Sequence, residues 1–233
     1  VAGRIMTDQH SQHSRNDPPE GWIAAEGWPV LALAGMITII LTFIALPLGS
    51  FALGLMVWLR YILRLPARQI PDDDTAILAP ADGKVLAVVS GAGEGPAGTG
   101  IEAGHRITIR TGLADAQLQR SPLGGRIVDN FLIPGLFRSS EDMALARRDN
   151  ERREITIEAE DGTRVLLVQI GSNTARHLVC RFGPGKYLAA GAPLGMARIG
   201  GMTDLFLPAD AAIMVAPGQT VLAGETMLAR RRS

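Results

Sequence analysis

The sequence predicts a mainly β protein, a domain of barrel or sandwich type with hammerhead-like repeats, preceded by an N-terminal hydrophobic helical hairpin. Three observations carry this prediction. No charged residue occurs from Trp28 to Leu59, a run longer than the ~20 apolar residues of a spanning helix. Beyond Thr75, short apolar runs alternate with Gly, Pro and Asp turn signals, the pattern of a chain of strands. A Gly-x5-Gly frame also occurs twice, at Gly185–Gly191 and Gly218–Gly224, each time opened by Pro-Gly.

Composition narrows the function. The chain has 233 residues, with 23 Lys+Arg against 23 Asp+Glu, so it lacks the basic surplus of a nucleic-acid binder. Cys180 is the only cysteine, which excludes an internal disulfide. One cysteine with His10, His13, His105 and His177 makes a poor zinc-ligand set. Lysines number two, Lys84 and Lys186. Lipid, membrane and small-molecule chemistry stay open.

Four segments follow in order. Residues 1–27 are polar and mixed in charge. Residues 28–63 form the apolar hairpin, read as helices over Val30–Leu46 and Phe51–Leu63 around a Pro47-Leu-Gly-Ser50 turn. A single kinked span is the competing reading, since membrane helices tolerate proline. Trp28 and Trp58 suit the lipid–water boundary, and Arg60, Arg64 and Arg68 suit a cytoplasmic flank. Residues 64–74 are a linker ending in Asp72-Asp73-Asp74. Residues 75–233 make one β domain.

In that domain, strands are expected at Ala76–Leu78, Val85–Val89, Arg106–Arg110, Arg126–Asn130, Glu154–Glu158 and Arg164–Ile170. The alternation of Ile107 with Ile109, and of Ile155 with Ile157, marks half-buried strands. Gly91–Gly104 holds six glycines and reads as a loop. One helix is expected near Ser140–Arg147, capped by Ser139 or Ser140, with Met143, Ala144 and Leu145 facing inward. Pro80-Ala-Asp-Gly83 is a third turn leading into a strand. Biotinyl and lipoyl carriers use similar frames, but neither lysine here has a carrier lysine's neighbours.

Residue chemistry alone is sparse. Asp82 lies in a tight turn, where an acid ordinarily satisfies its own backbone. Asp115 stands near Gln117 and Arg120 in a polar loop. Asn150-Glu-Arg-Arg153 reads as a solvated charge run, and His177 as a surface histidine. No nucleophile elbow, phosphate loop or HExxH occurs.

An ordered set of segments from Glu26 to Ala229 nevertheless resembles the phosphatidylserine decarboxylase family in its short bacterial form. The set comprises Glu26-Gly-Trp-Pro29, Pro80-Ala-Asp-Gly-Lys-Val85, Ser121-Pro122 with Gly125-Arg-Ile-Val128, and Pro134-Gly-Leu-Phe137. It continues with Asn150-Glu-Arg152, Val168-Gln-Ile170, Ala175-Arg176, Asp204-Leu-Phe-Leu-Pro208 and Gly218 through Ala229. The resemblance implies a membrane enzyme of phosphatidylethanolamine synthesis. It also implies a proenzyme that cuts itself at a Gly-Ser bond, whose serine becomes a pyruvoyl group and serves as electron sink.

Two positions depart from that pattern. Before Asp204 the sequence reads Ile199-Gly200-Gly201-Met202-Thr203, so Gly201 stands at the pyruvoyl-serine position. Glycine has no hydroxyl with which to attack the preceding carbonyl. The family's Asp-x-His reads Asp115-Ala116-Gln117 here, and a carboxamide does not titrate near neutral pH. Asp82 is retained. The expected site is therefore Asp82, Gln117 and Gly201, with the Gly200–Gly201 junction uncut and no cofactor. Ser172 is the one conceivable substitute nucleophile.

The expected role is an inactive family member that binds lipid or regulates. An active decarboxylase with an unusual activation route and a non-enzymatic membrane adaptor are the alternatives. Expected partners are membrane phospholipid, including phosphatidylserine, and a second copy or an active homologue, without nucleic acid. The expected location is the bacterial inner membrane, with the β domain in the cytoplasm.

Overall fold

The structure is a computed structural model that describes residues 27–44, 46–91, 104–139, 141–174, 176, 178–197 and 200–232. His177, Ser140 and residues 92–103 of the glycine-rich segment lie outside the described residues.

Two helices come first among the described residues, α1 (Trp28–Ile44) and α2 (Leu46–Ile62), each of 17 residues. They run antiparallel, because Gly35 faces Met56 while Gly49 faces Thr42. This is the expected hairpin, but Pro47–Ser50 is not its turn, since α2 already begins at Leu46. Pro47 instead occupies the first turn of α2, where a missing N–H costs no hydrogen bond. Gly49 is a point of close approach: a Cβ there would stand 2.8 Å from Thr42 Cα. The two residues that read as turn formers thus start one helix and seat it against the other. Apolar side chains point outward along both helices, with Phe43 89% exposed. The hydroxyls of Thr38, Thr42 and Ser50 return to carbonyls four residues back, which leaves none of them unsatisfied in apolar surroundings. No described helix is long and apolar enough to cross a membrane.

The β domain is built from β1 (Ala76–Leu78), β2 (Gly83–Ser90), β3 (His105–Thr111), β4 (Leu118–Arg120), β5 (Gly125–Ile133), β6 (Arg152–Glu158) and β7 (Arg164–Ile170). It continues through β8 (Leu178–Cys180), β9 (Tyr187–Leu188), β10 (Pro193–Ala197), β11 (Gly201–Leu207), β12 (Ala212–Ile213), β13 (Thr220–Val221) and β14 (Met227–Arg230). An eight-stranded sheet runs β13-β2-β3-β11-β7-β6-β5-β9. Two three-stranded sheets, β1-β14-β12 and β4-β10-β8, complete the domain, and every pairing is antiparallel. The six expected strands all form, β1 and β7 with the expected bounds and the other four longer by two to four residues.

The helix α3 (Met143–Asp149) is capped by Asp142, whose carboxylate accepts from Ala144 and Leu145 N–H, and not by either serine. Aspartate is as good a cap as serine and stands one residue before the helix starts. Ala146 is the buried residue, whereas Ala144 is exposed.

The glycine frames have a structural counterpart. Gly185 N–H donates to Ile127 O, and Ile127 N–H returns to Lys186 O. Gly218 N–H donates to Val85 O, and Val85 N–H returns to Gln219 O. Leu78 N–H to Pro122 O and Arg120 N–H to Pro80 O then cross-link the two halves reciprocally. Each frame thus adds a two-residue strand to one edge of the large sheet, β9 to β5 and β13 to β2. The main apolar core lies on one side of that sheet, with Ile107, Ile109, Ile155, Ile157, Leu167 and Leu205 at its centre. A second cluster, Leu166, Val168, Ile170, Met202 and Phe206, lies on the other side beneath Ala146 of α3.

This internal correspondence has a measurable consequence. Gly83 and Gly125 occupy equivalent places, and a Cβ on either would come within 2.7 Å of a backbone carbonyl carbon, that of Arg110 or of Glu158. Gly83→Ala and Gly125→Ala should each cost about 1–3 kcal/mol, read as a lower urea midpoint. A neutral outcome at both positions would contradict the packing described.

Candidate functional site

The site forms where β3, β4 and β11 meet the foot of the hairpin. The register pairs Thr111, at the end of β3, with Gly201, at the start of β11. Between β3 and β4 the chain makes a tight loop in which the Asp115 carboxylate turns inward and accepts from Gly112 N–H at 2.7 Å. Gln117 follows and is 1% exposed. Its Nε2 donates to Gly112 O at 3.0 Å and to Asp115 O at 2.8 Å. Its Oε1 accepts from Gly200 N–H at 2.6 Å.

The two positions that depart from the family pattern therefore adjoin each other. The Gln117 carboxamide spends its acceptor on the backbone at the Gly200–Gly201 junction and both donors on the β3–β4 loop. Both glycines have positive φ, 81° and 132°, a conformation that side chains disfavour. Thr174 and Leu113 line the same place, 3.7 and 3.8 Å from where a Cβ on Gly200 would lie.

Asp82 is positioned differently. One carboxylate oxygen accepts from Ala223 N–H at 2.7 Å. The other accepts from Arg68 at 2.6 Å, both side chains being nine-tenths buried or more. Among the described residues no hydrogen bond joins Asp82 to Gln117. Thr111 connects them indirectly, its hydroxyl donating to Asp82 O at 2.8 Å while its backbone pairs with Gly201. Asp82 is thus a fixed, ion-paired carboxylate, and its own backbone does not satisfy it as the turn reading expected.

Ser172 is 1% exposed, with its hydroxyl 3.1 Å from Thr174 Oγ1. The Asn150-Glu-Arg-Arg153 run is not a solvated face. Asn150 is buried, donates to Arg138 O and Gly171 O, and accepts from Arg138 N–H. Arg152 pairs with Glu154, and Arg153 donates to Asn130 and Leu178 O. These residues lock the loop after β7 beside the site.

Several neighbours were not legible beforehand. Gln119 donates to Thr203, and Gln169 donates to Gln119, a second buried amide pair beside the site. On the opposite face of β11, Asp204 takes two hydrogen bonds from Arg147 and one from Thr108. Burial and the nearby Arg147 charge pull the Arg106 guanidinium below its ordinary pKa. Arg68 lay in what read as a plain linker.

The hairpin foot closes the site. Gln117 N–H donates to Ile62 O at 3.2 Å, and Leu31, Ile62 and Leu63 pack on Leu118 and Met196. Arg120 reaches Pro66 O and Gly191 O, which binds the segment after the hairpin to the β domain.

Gln117→Ala would leave a buried Gly200 N–H without its acceptor, at a cost of about 1–3 kcal/mol. The Gly200 amide should then exchange with deuterium faster than in the unmutated chain. Gln117→Glu should be worse, since a carboxylate would face the carbonyls of Gly112 and Asp115. Unchanged stability and exchange in both variants would remove the clamp from the account.

Comparison with known proteins agrees with the segment pattern. The family model described as phosphatidylserine decarboxylase matches residues 55–229. A phosphatidylserine decarboxylase proenzyme from Beijerinckia indica subsp. indica is 34% identical over 211 residues, covering 91% of this chain and 90% of that protein.

Proposed function

We propose, from the premise that the chain belongs to the phosphatidylserine decarboxylase family, that this member is a lipid-binding or regulatory protein without decarboxylase activity. The observation that carries the reading is the Gly200–Gly201 junction clamped by Gln117. Pyruvoyl formation needs a side-chain oxygen at residue 201, and glycine has none.

The nearby hydroxyls belong to other residues: Thr174, 3.7 Å from where a Cβ on Gly200 would lie, is on the loop after β7. Thr203 is two residues downstream within β11 and accepts from Gln119. Thr111 is committed to Asp82 O. Ser172 belongs to the separate loop after β7. The residues present therefore do not fit a self-derived pyruvoyl group.

The protonation chemistry is missing as well. Gln117 holds its acceptor and both donors against fixed backbone groups, and it has no proton to exchange near neutral pH. Asp82 is held in an ion pair with Arg68 and by Ala223 N–H. What remains is a family frame joined to the foot of an apolar hairpin through Gln117 and Ile62, a setting that would bring the domain to a membrane surface. In this reading residues 28–63 embed in the bilayer of the bacterial inner membrane, residues 64–74 connect, and the β domain lies in the cytoplasm. Phosphatidylserine is the headgroup the family's chemistry makes the first ligand to test. An active homologue or a second copy is the protein partner to test.

The purified protein should release no labelled carbon dioxide from carboxyl-labelled phosphatidylserine above a protein-free control, while phosphatidylserine vesicles bind it. Release above the control would end the inactive reading. The same argument predicts a graded gain on repair. Gln117→His alone should not cleave. Gly201→Ser alone should cleave slowly or not at all, because serine at a φ of 132° is strained and lacks a titratable neighbour. The double variant should release a fragment of residues 201–233 with a blocked N-terminus.

A further inference from the structure

The antiparallel register brings five strand ends together at one end of the large sheet. Thr111 pairs with Gly201, Met202 with Ile170, Ile170 with Arg152, and Arg152 with Ile133. The loops leaving this end therefore lie side by side. They are the β3–β4 loop, the segment after β5, and the segment after β7. The hairpin foot is bonded to the same end through Gln117 and Ile62.

These loops and the end of β5 expose large apolar side chains where polar ones would be expected. Leu113 is 51% exposed, Leu132 45% and Leu136 53%. Phe137 stands beside them, with the Arg176 guanidinium 5.7 Å from its ring centroid. Arg138 and Arg176 are exposed in the same loops, and Arg64 stacks on Tyr61 at the hairpin foot. Acids share these loops: Glu141 and Asp142 are exposed, Asp142 capping α3, Asp115 accepts from Gly112 N–H, and Asp149 is paired with Arg138 and Arg148. The opposite end, at the β6–β7 turn, presents Glu160 and Asp161.

We propose that this end of the β domain is itself a lipid-docking surface, with Leu113, Leu132 and Leu136 entering the headgroup region and Arg138 and Arg176 meeting lipid phosphates. The occupant is a bilayer surface carrying anionic lipid. Two features select it: apolar side chains ringed by arginines, the pattern of an interfacial lipid contact, and continuity with the outward-facing apolar hairpin. The proposal takes its orientation from the membrane reading above and adds a second contact independent of the hairpin. It sets the Gly200–Gly201 junction at headgroup level, since Leu113 lines both the junction and the rim.

The test uses the full chain carrying Cys180→Ala, because Cys180 is the only cysteine and burial already raises its thiol pKa. Single cysteines are added by Leu113→Cys, Leu136→Cys, Phe43→Cys or Glu160→Cys and labelled with an environment-sensitive fluorophore. Circular dichroism and size-exclusion profiles matching the unmutated chain qualify each variant. The proteins are reconstituted in phosphatidylcholine vesicles with a minor fraction of phosphatidylglycerol, with or without lipids brominated near the top of the acyl chain. Glu160 lies at the far end of β6, about 20 Å or more from the rim at ~3.3 Å per residue.

Labels at residues 113 and 136 should be quenched roughly twofold or more by the brominated lipid, and the label at 160 should be unaffected. Removing phosphatidylglycerol should weaken quenching at 113 and 136 but leave it intact at 43. Labels at 113 and 136 as unquenched as the one at 160 would overturn the docking surface. The label at 43 reports the hairpin separately: quenching at the rim without quenching at 43 would sustain this proposal and refute hairpin insertion.

Discussion

A buried backbone N–H must have an acceptor, and at Gly200 that acceptor is the Gln117 carboxamide. Much of the site follows from this constraint. Binding Gly200 aims the amide's own donors at Gly112 and Asp115, which closes the β3–β4 loop. The Gln117 backbone N–H in turn holds Ile62 at the hairpin foot. One uncharged residue thus ties the junction, a loop and the helical hairpin together. An amide suits this work because it donates and accepts at once and keeps both functions at any ordinary pH. The same property unfits it for proton transfer.

A second tie runs on the other side of Thr111. Arg68 and Asp82 form an ion pair withdrawn from solvent, and Arg120 holds Pro66 and Gly191. Removing one partner of such a pair leaves an uncompensated buried charge, at about 3–5 kcal/mol. The segment after the hairpin is therefore fastened to the β domain at several points. Motion or force on the hairpin would reach the site through Ile62 and Arg68, both of which touch groups adjoining Gly201 or Thr111.

Legibility in the sequence depended on how each strand is buried. β3 and β6 show alternation because their two faces meet different surroundings, so Ile107, Ile109, Ile155 and Ile157 stood out. β11, which carries Gly201, has all seven residues buried. With both faces covered, its residues do not alternate simply. β7 is buried almost as fully but stands out by its unbroken apolar run Val165–Val168, whereas Thr203 and Asp204 interrupt β11. The glycine frames were legible because positive φ selects glycine at Gly185, Gly191, Gly218 and Gly224. Pro47 and Gly49 misled because the same residues serve turns, helix starts and close helix contacts. The candidate residues Asp82, Gln117, Gly200 and Gly201 were named from the resemblance. Their joining by Thr111, and the part played by Arg68, depend on contacts over many intervening residues that no local pattern encodes.

The central claim is that residue 201 cannot become a pyruvoyl group, so the chain stays whole. Intact-mass spectrometry of the purified, unmutated protein tests it most directly. The account predicts one species at the mass of the uncut chain, 24.8 kDa for the 233 residues, with no fragment beginning near residue 201. Two chains with a blocked N-terminus on the smaller would contradict it and make Ser172 the first residue to replace.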